Sequence, residues 1–262
     1  MYRDRPGLKV MKINSCKKYS SYQFILPIIF TLITTVNPRL VKAQLIPDNT
    51  LNSSVRNDTI KGTPSDIIEG GVIRGINLFH SFTDFNVGAN RGVYFSNPDN
   101  ISNILTRVTG NSHSNILGTL GVLGNGNLFL INPNGITFGA NANLDVKGSF
   151  IASTADKVIF DNYEFNTTHS TEPPLLNINI PRGLGFRDNP GNISLNNSHL
   201  TIPEGKTLAL IGGNVSINNA RIISPGTQVE LGGLTQTGTV NLDEGLALSF
   251  PDSSGGAQIN YL

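Results

Sequence analysis

The sequence has no tryptophan, one cysteine and few charges, with Asp, Glu, Lys and Arg making up 14% of its 262 residues. Cys16 stands near the N-terminus, so the rest of the chain cannot use disulfides, the usual staples of small exported domains. The four histidines, at 80, 113, 169 and 199, are isolated from one another, and with no cysteine nearby they give no metal-ligand spacing. No metal or other cofactor is expected. Long apolar runs are also missing. The clearest, residues 24–36, is 13 residues long and contains Pro27, whereas a spanning helix needs about 20. Ala, Glu, Lys and Leu do not recur at helical spacing, which argues against a helical bundle. Disorder is opposed by the short runs of Ile, Leu, Val and Phe throughout.

The net charge of +1 hides a division. Residues 1–43 hold eight basic side chains against Asp4 alone, or +7, and the remainder holds 11 basic and 17 acidic, or −6. A mildly acidic body with scattered cations lacks the clustered charge that displaces counterions from nucleic acid, so that partner class is set aside. The basic stretch to Lys18, the apolar run, and Val41, Lys42 and Ala43 before Gln44 follow the order of a secretory signal peptide. Cleavage is expected between Ala43 and Gln44, after delivery to the Sec machinery, with Met1 or Met11 as the start. Cys16 precedes the apolar run and therefore is not a lipidated cysteine at the cleavage point. Residues 44–262 form the second region.

What is abundant is glycine, 28 residues, and asparagine, 32. Short apolar segments alternate with turn residues every eight to twelve positions, the pattern of an all-β chain. Leu128 and Leu130, Ile136 and Phe138, and Leu144 and Val146 are apolar pairs two apart, repeating every eight residues. Residues two apart on a strand share a face, so three successive strands aim at one interior. Residues 191–197, GNISLNN, recur as 213–219, GNVSINN, with a weaker third copy expected at 238–242, GTVNL. An offset of 22 built from strand-sized pieces fits one coil of a parallel β-helix. Stacking would place Asn196 and Asn197 against Asn218 and Asn219 as amide ladders. At that period the second region allows at most about ten coils, with strands about 4.8 Å apart. Residues 161–190 are expected to leave the helix as a loop or side sheet. An uncapped end would expose strand edges, so the chain is read as a fragment or as the first section of a longer one.

Candidate chemistry is sparse. His80 has Asp84 four residues on but no nearby nucleophile, and His113 and His199 read as surface polar groups. Polysaccharide-cleaving β-helix enzymes need grouped carboxylates to hold calcium or to act as acid and base. The densest acidic set, Asp145, Asp156, Asp161 and Glu164, is linked by no motif, and a non-enzymatic chain is expected. The glycines of residues 118–126, GTLGVLGNG, lack the Lys and Ser or Thr of a phosphate loop and are assigned to strand corners. Asn132, Pro133, Asn134 and Gly135 form the strongest single motif. It reads as a turn in which Asn-Gly favours positive φ, with a direct role in structure that would keep a recognition surface in shape.

Residues 78–87 (LFHSFTDFNV), 93–98 (VYFSNP), 101–110 (ISNILTRVTG), 115–120 (NILGTL), 128–136 (LFLINPNGI) and 148–154 (GSFIAST) occur in an order that resembles one family. It is the N-terminal, two-partner secretion domain of filamentous haemagglutinin-type exoproteins, also known as the haemagglutination activity domain. The resemblance covers about residues 44–250. It implies a right-handed parallel β-helix of the pectin-lyase-like kind, with extrahelical loops or small side sheets. It also implies export through the periplasm and outer membrane of a two-membrane bacterium, to the medium or the cell surface. The partner implied is an outer-membrane β-barrel transporter with periplasmic recognition modules, and folding is expected to proceed coil upon coil. Adhesion belongs to the wider exoprotein, with a host or cell-surface glycan or protein as a possible ligand. Of the family's two asparagine motifs, the second maps to Asn132, Pro133, Asn134 and Gly135. The first lacks its usual turn; residues 74–78 occupy that region, and Asn77, Leu78, His80 and Phe85 stand as the candidates there. The competing readings are a polysaccharide-active β-helix enzyme and a self-standing surface- or glycan-binding protein.

Overall fold

The structure, a computed structural model, describes residues 45–168, 180–226, 228–243 and 246–250, together with the backbone of 259–261. The leader to Ala43, Gln44 just after the expected cleavage point, and His169 lie outside the described residues. All regular elements among the described residues are strands, wound into a parallel β-solenoid of about seven turns.

Each coil contributes strands to three faces. The long face stacks Asn77–Phe85, Asn103–Val108, Asn127–Ile131, Phe150–Ser153, Leu208–Gly212 and Val229–Gly233 in parallel register. A second face stacks Ser114–Ile116, Ile136–Phe138, Ile193–Asn196, Val215–Asn218 and Ile259–Tyr261. A third stacks Thr63–Gly70, Gly92–Phe95, Thr119–Val122 and Asn143–Asp145. The three apolar pairs read from the sequence all lie in the solenoid's interior.

The 22-residue repeat is one coil. Asn196 pairs with Asn218 in the ladder, and Asn218 Nδ2 donates to Asn196 Oδ1 at 2.9 Å. Asn219 Nδ2 donates to Asn197 Oδ1 at 2.8 Å. Both Asn197 (φ 54°) and Asn219 (φ 48°) are left-handed, a conformation that asparagine tolerates better than most residues. The repeated Asn-Asn thus supplies a ladder rung and a corner together. A second ladder climbs the long face: Asn103 Nδ2 donates to Asn77 Oδ1 at 2.9 Å and Asn127 Nδ2 to Asn103 Oδ1 at 3.0 Å. Asn127 Oδ1 then accepts from the Ser149 amide at 2.8 Å.

Two expectations need correction. Gly238–Leu242 is not a third coil; it pairs antiparallel with Gly183–Phe186, and the strand stacked on Val215–Asn218 is Ile259–Tyr261. Alternation alone does not distinguish the two settings. About seven turns form, within the expected limit of about ten, because the chain leaves the regular winding at two places. Residues before 63 make an antiparallel cap, in which Leu45–Pro47 pairs with Asn77–Phe85 and Ser53–Ile60 forms a hairpin with Thr63–Gly70, the first strand of the third face. The strands Lys157–Ile159, Glu164–Asn166, Gly183–Phe186, Gly238–Leu242 and Leu248–Ser249 form a separate antiparallel sheet. Finally, Gly121 is not a corner but lies within a strand, where a Cβ would stand 2.4 Å from the Tyr94 ring.

That side sheet creates a second core. Phe79, Leu105, Phe129, Ile131 and Ile151 point outward from the long face and pack with Val158, Phe160, Phe165, Leu184 and Val240. Burying each such side chain stabilises by about 1.5–3 kcal/mol.

Candidate functional site

The strand Asn127–Ile131 ends in a turn made by Asn132, Pro133, Asn134 and Gly135. Asn132 is buried, and its Oδ1 accepts from the Asn134 amide at 3.0 Å, closing the turn with a side chain. Its Nδ2 donates to Ser112 O and Ser114 Oγ, both at 2.9 Å, on the preceding coil. Asn134 Nδ2 donates to Gly110 O at 2.7 Å, and the Gly135 amide to Asn132 O at 3.1 Å. From the following coil, the Gly191 amide donates to Pro133 O at 2.9 Å. The four residues therefore join three successive layers.

Positive φ falls on Gly135 (125°) and not on Asn134. A Cβ at Gly135 would also stand 2.5 Å from His113 Nδ1. The Asn132 amide donates twice and accepts from Asn134; Asn134 and Pro133 rim a cleft of about 220 Å³ shared with Thr109, Asn111, Thr167 and Arg187.

Asn77, Leu78, His80 and Phe85 are all buried. Asn77 heads the amide ladder, and Phe85 stacks on Phe95 at 6.0 Å with 8° between ring planes. His80 faces the interior beside Phe82 and Phe95, with Nδ1 3.0 Å from Ser53 Oγ of the cap hairpin. Burial pushes its pKa down to about 3, so it is a neutral core group near pH 7. His113 and His199 are exposed.

The acidic set is dispersed. Asp145 meets Lys61 at 2.7 Å, Asp156 meets Arg187 at 3.2 Å, Asp161 meets Arg182 at 3.0 Å and Glu164 meets Lys157 at 2.7 Å. Asp145 also accepts from the Tyr94 hydroxyl at 3.0 Å. Burial and this carboxylate together push the phenol up to about 12. Each carboxylate faces its own cation, so no two are paired as acid and base.

Arg107 is the residue that reading the sequence missed. It lies in the apolar strand Asn103–Val108, fully buried. Nε donates to Ser81 Oγ at 2.8 Å, Nη1 to Asn166 O at 2.8 Å and Nη2 to Thr50 Oγ1 at 3.2 Å. Its guanidinium lies 4.6 Å from the centre of the Phe165 ring. The Ser81 hydroxyl in turn donates to Asp48, which also accepts from Thr50 and Thr109. Burial opposes ionisation of Asp48, yet these hydroxyls and the Thr50 amide hold its carboxyl below the usual range. Burial likewise lowers the pKa of Arg107, against the opposing field of Asp48. The network ties the cap to the solenoid and to the side sheet. Its signal in the sequence was a charge between Thr106 and Val108, in a strand otherwise suited to the core.

Comparison with known proteins agrees with this architecture. A segment of 72 residues, 28% of the chain, is 42% identical to the heme/hemopexin-binding protein of Haemophilus influenzae, of which it spans 8%. Among solved structures, the filamentous hemagglutinin secretion domain superposes with a TM-score of 0.56 at 18% identity, covering 81% of this chain and 69% of that one. The HMW1 secretion domain from Haemophilus influenzae gives a TM-score of 0.50 at 23% identity, covering 79% and 47%. These two similarities establish the shared fold. The family model described as the TPS secretion domain matches residues 43–259, so the chain belongs to the TPS secretion domain family of haemagglutinin-like exoproteins.

Proposed function

We propose that this domain is a non-catalytic export address. A signal peptide at residues 1–43 delivers it to the periplasm through the Sec machinery. A TpsB-type outer-membrane β-barrel transporter then recognises it through periplasmic modules and releases it to the medium or cell surface. The observation that carries the reading is the family match across nearly the whole of residues 44–262, on a solenoid with matching topology. The layered construction supports the export mechanism. Each parallel strand uses the previous coil as its hydrogen-bonding template, so emerging coils bury apolar surface progressively and oppose backsliding without nucleotide.

In this reading the turn of Asn132, Pro133, Asn134 and Gly135 shapes a surface, with its amides occupied inside the coil stack. Heme and hemopexin binding by the related protein stays with that protein, since only 8% of its length is shared. Adhesion is likewise assigned to the wider exoprotein, not to this domain.

The test is secretion of residues 1–262 with and without the cognate transporter, scored as protein in the medium against protein in the periplasm. Transporter-dependent release is expected. Periplasmic retention in both cases, with the fold intact, defeats the proposal. In Asn132→Ala with Asn134→Ala, lost export alongside an intact fold assigns recognition to the turn, whereas loss of both assigns it to structure.

A further inference from the structure

The cap leaves one long strand with an open side. Ser53–Ile60 ends its five-stranded sheet and, at eight residues, is the longest sheet-end strand among the described residues. Lys61 (φ 51°) and Gly62 (φ 79°) are both left-handed, which makes the hairpin loop a two-residue type I′ turn. In such a hairpin the flanking pair, Ile60 and Thr63, exchanges hydrogen bonds, and bonded pairs then alternate along the strand. Ser54, Arg56 and Asp58 therefore bond to the neighbouring strand. The main-chain groups of Val55, Asn57 and Thr59 point to the open side, where the Thr59 amide donates to Asp58 Oδ1 at 2.7 Å. Arg56 and Asp58 share one face on either side of Asn57, and all three are exposed.

We propose that two copies of this chain join through this edge, antiparallel about a two-fold axis at Asn57. In that register Asn57 meets Asn57 of the second copy and Val55 meets Thr59 in both directions; the Thr59 amide exchanges Asp58 Oδ1 for a main-chain carbonyl, which frees that carboxylate for Arg56 across the axis, and every outward donor and acceptor from 55 to 59 is satisfied. Arg56 stands opposite Asp58 in both directions, at non-bonded positions where cross-strand side chains come closest. Within one chain Arg56 already bridges Asp58 and Glu69, so its guanidinium turns between carboxylates already at hand. Moving the axis by two residues, to Val55 or Thr59, shortens the ladder and leaves Arg56 opposite Ser54 or Asp58 opposite Ile60. Charged residues normally guard an edge against pairing. Here they are self-complementary, which admits a second copy and selects its register. Two short strands bury less than the roughly 1,000 Å² of a stable interface, so the dimer forms only at high concentration. Its effect is to pair exported molecules cap to cap.

Cysteine cross-linking captures such a weak dimer. In a Cys16→Ser background, Asn57→Cys places two thiols on the axis, with Cα atoms about 5.5 Å apart in a bonded antiparallel pair. Ser54→Cys, on the same strand, places them about 20 Å apart. Mild oxidation of the purified protein is expected to link Asn57→Cys and to leave Ser54→Cys monomeric. Thr59→Pro removes an outward N–H that the hairpin ladder does not use and that only the neighbouring Asp58 Oδ1 accepts in the single chain, and Asp58→Arg sets like charges across the axis. Each is expected to abolish the link, with far-UV circular dichroism confirming the fold. Equal cross-linking of the two cysteines, no cross-linking of either, or a link that survives both substitutions overturns the proposal.

Discussion

Replacing Arg107 with methionine tests whether one buried guanidinium holds the cap, the solenoid and the side sheet together. Methionine retains much of the side chain's apolar length, so the loss falls on the polar network. Three donors vanish, to Ser81 Oγ and Asn166 O at 2.8 Å and to Thr50 Oγ1 at 3.2 Å, together with the face contact on Phe165 at 4.6 Å. Asp48 stays ionised and loses the nearest positive field described around it. Removing one member of a buried charged network costs about 3–5 kcal/mol, and each orphaned polar group costs about 1–3 kcal/mol, partly within that sum. An overall loss of about 3–5 kcal/mol is therefore expected. Arg107→Lys keeps the charge but not the fork, and should lose about 1–3 kcal/mol. Urea denaturation gives the magnitude, and hydrogen exchange gives the location. Protection should fall first at Leu45–Pro47 and Glu164–Asn166 while Asn127–Ile131 stays protected. Pairing Arg107→Met with Asp48→Asn should show a coupling energy above about 0.5 kcal/mol. A loss below about 1 kcal/mol, or uniform loss of protection, refutes the clamp.

Acid should weaken the fold through His80, whose folded pKa of about 3 lies below the ordinary 6.5. Stability from its neutral form is complete above 6.5 and declines below that value by about 1.4 kcal/mol per pH unit until about pH 3. Asp48, with a lowered pKa, adds loss only at the acid end, as pH falls through the usual carboxylate range. Urea midpoints from pH 7 to 4.5 should fall in the natural chain and flatten in His80→Phe; an unchanged slope refutes the assignment. Asn127→Ala removes the last asparagine of the long-face ladder, leaving Asn103 Oδ1 and the Ser149 amide without the Asn127 bonds. Its expected cost is about 1–3 kcal/mol in urea unfolding, and a loss near zero would show that water replaces the rung.

Much of the solenoid was legible because its signals are local. The eight-residue spacing of Leu128, Ile136 and Leu144 reports three strands and two corners directly. The 22-residue echo of GNISLNN reports stacking, and the asparagines prove to serve the ladder and the left-handed corner together. What escaped depends on partners distant in sequence. Gly238–Leu242 alternates like a coil strand, but its partner is Gly183–Phe186, and nothing in five residues specifies an antiparallel neighbour. The cap hairpin reads as a weakly patterned polar stretch, since Ser53–Ile60 exposes most of its side chains. At the site, the turn of Asn132 to Gly135 was visible as turn chemistry. The inward direction of its amides was not, because it depends on Gly110, Ser112 and Ser114 of another coil. Arg107 was visible only as an anomaly, a charge among Leu105, Thr106 and Val108.

One distinction among the strands was also present in the sequence, and it bears on recognition. Strands of the long face read as continuous apolar runs: LFLI at 128–131, FIA at 150–152 and LALI at 208–211. Strands of the second face, and Asn143–Asp145 of the third, alternate, as in ITF at 136–138, ISL at 193–195 and NLD at 143–145. A strand covered on both sides has no solvent face and needs no polar alternate, whereas one lining a single core does. The outward side chains Phe129, Ile131, Ile151 and Ala209 are accordingly buried under the side sheet. Thr137 and Ser194 of the second face remain partly open to solvent. A partner that reads the folded domain therefore meets the alternating faces, the turn rims or the side sheet's outer surface. Substitutions on the long face act through stability, and an export defect from Phe129→Ala should come with loss of the fold. Loss of export from Thr137 or Ser194 substitutions, with the fold retained, would instead locate contact on the second face.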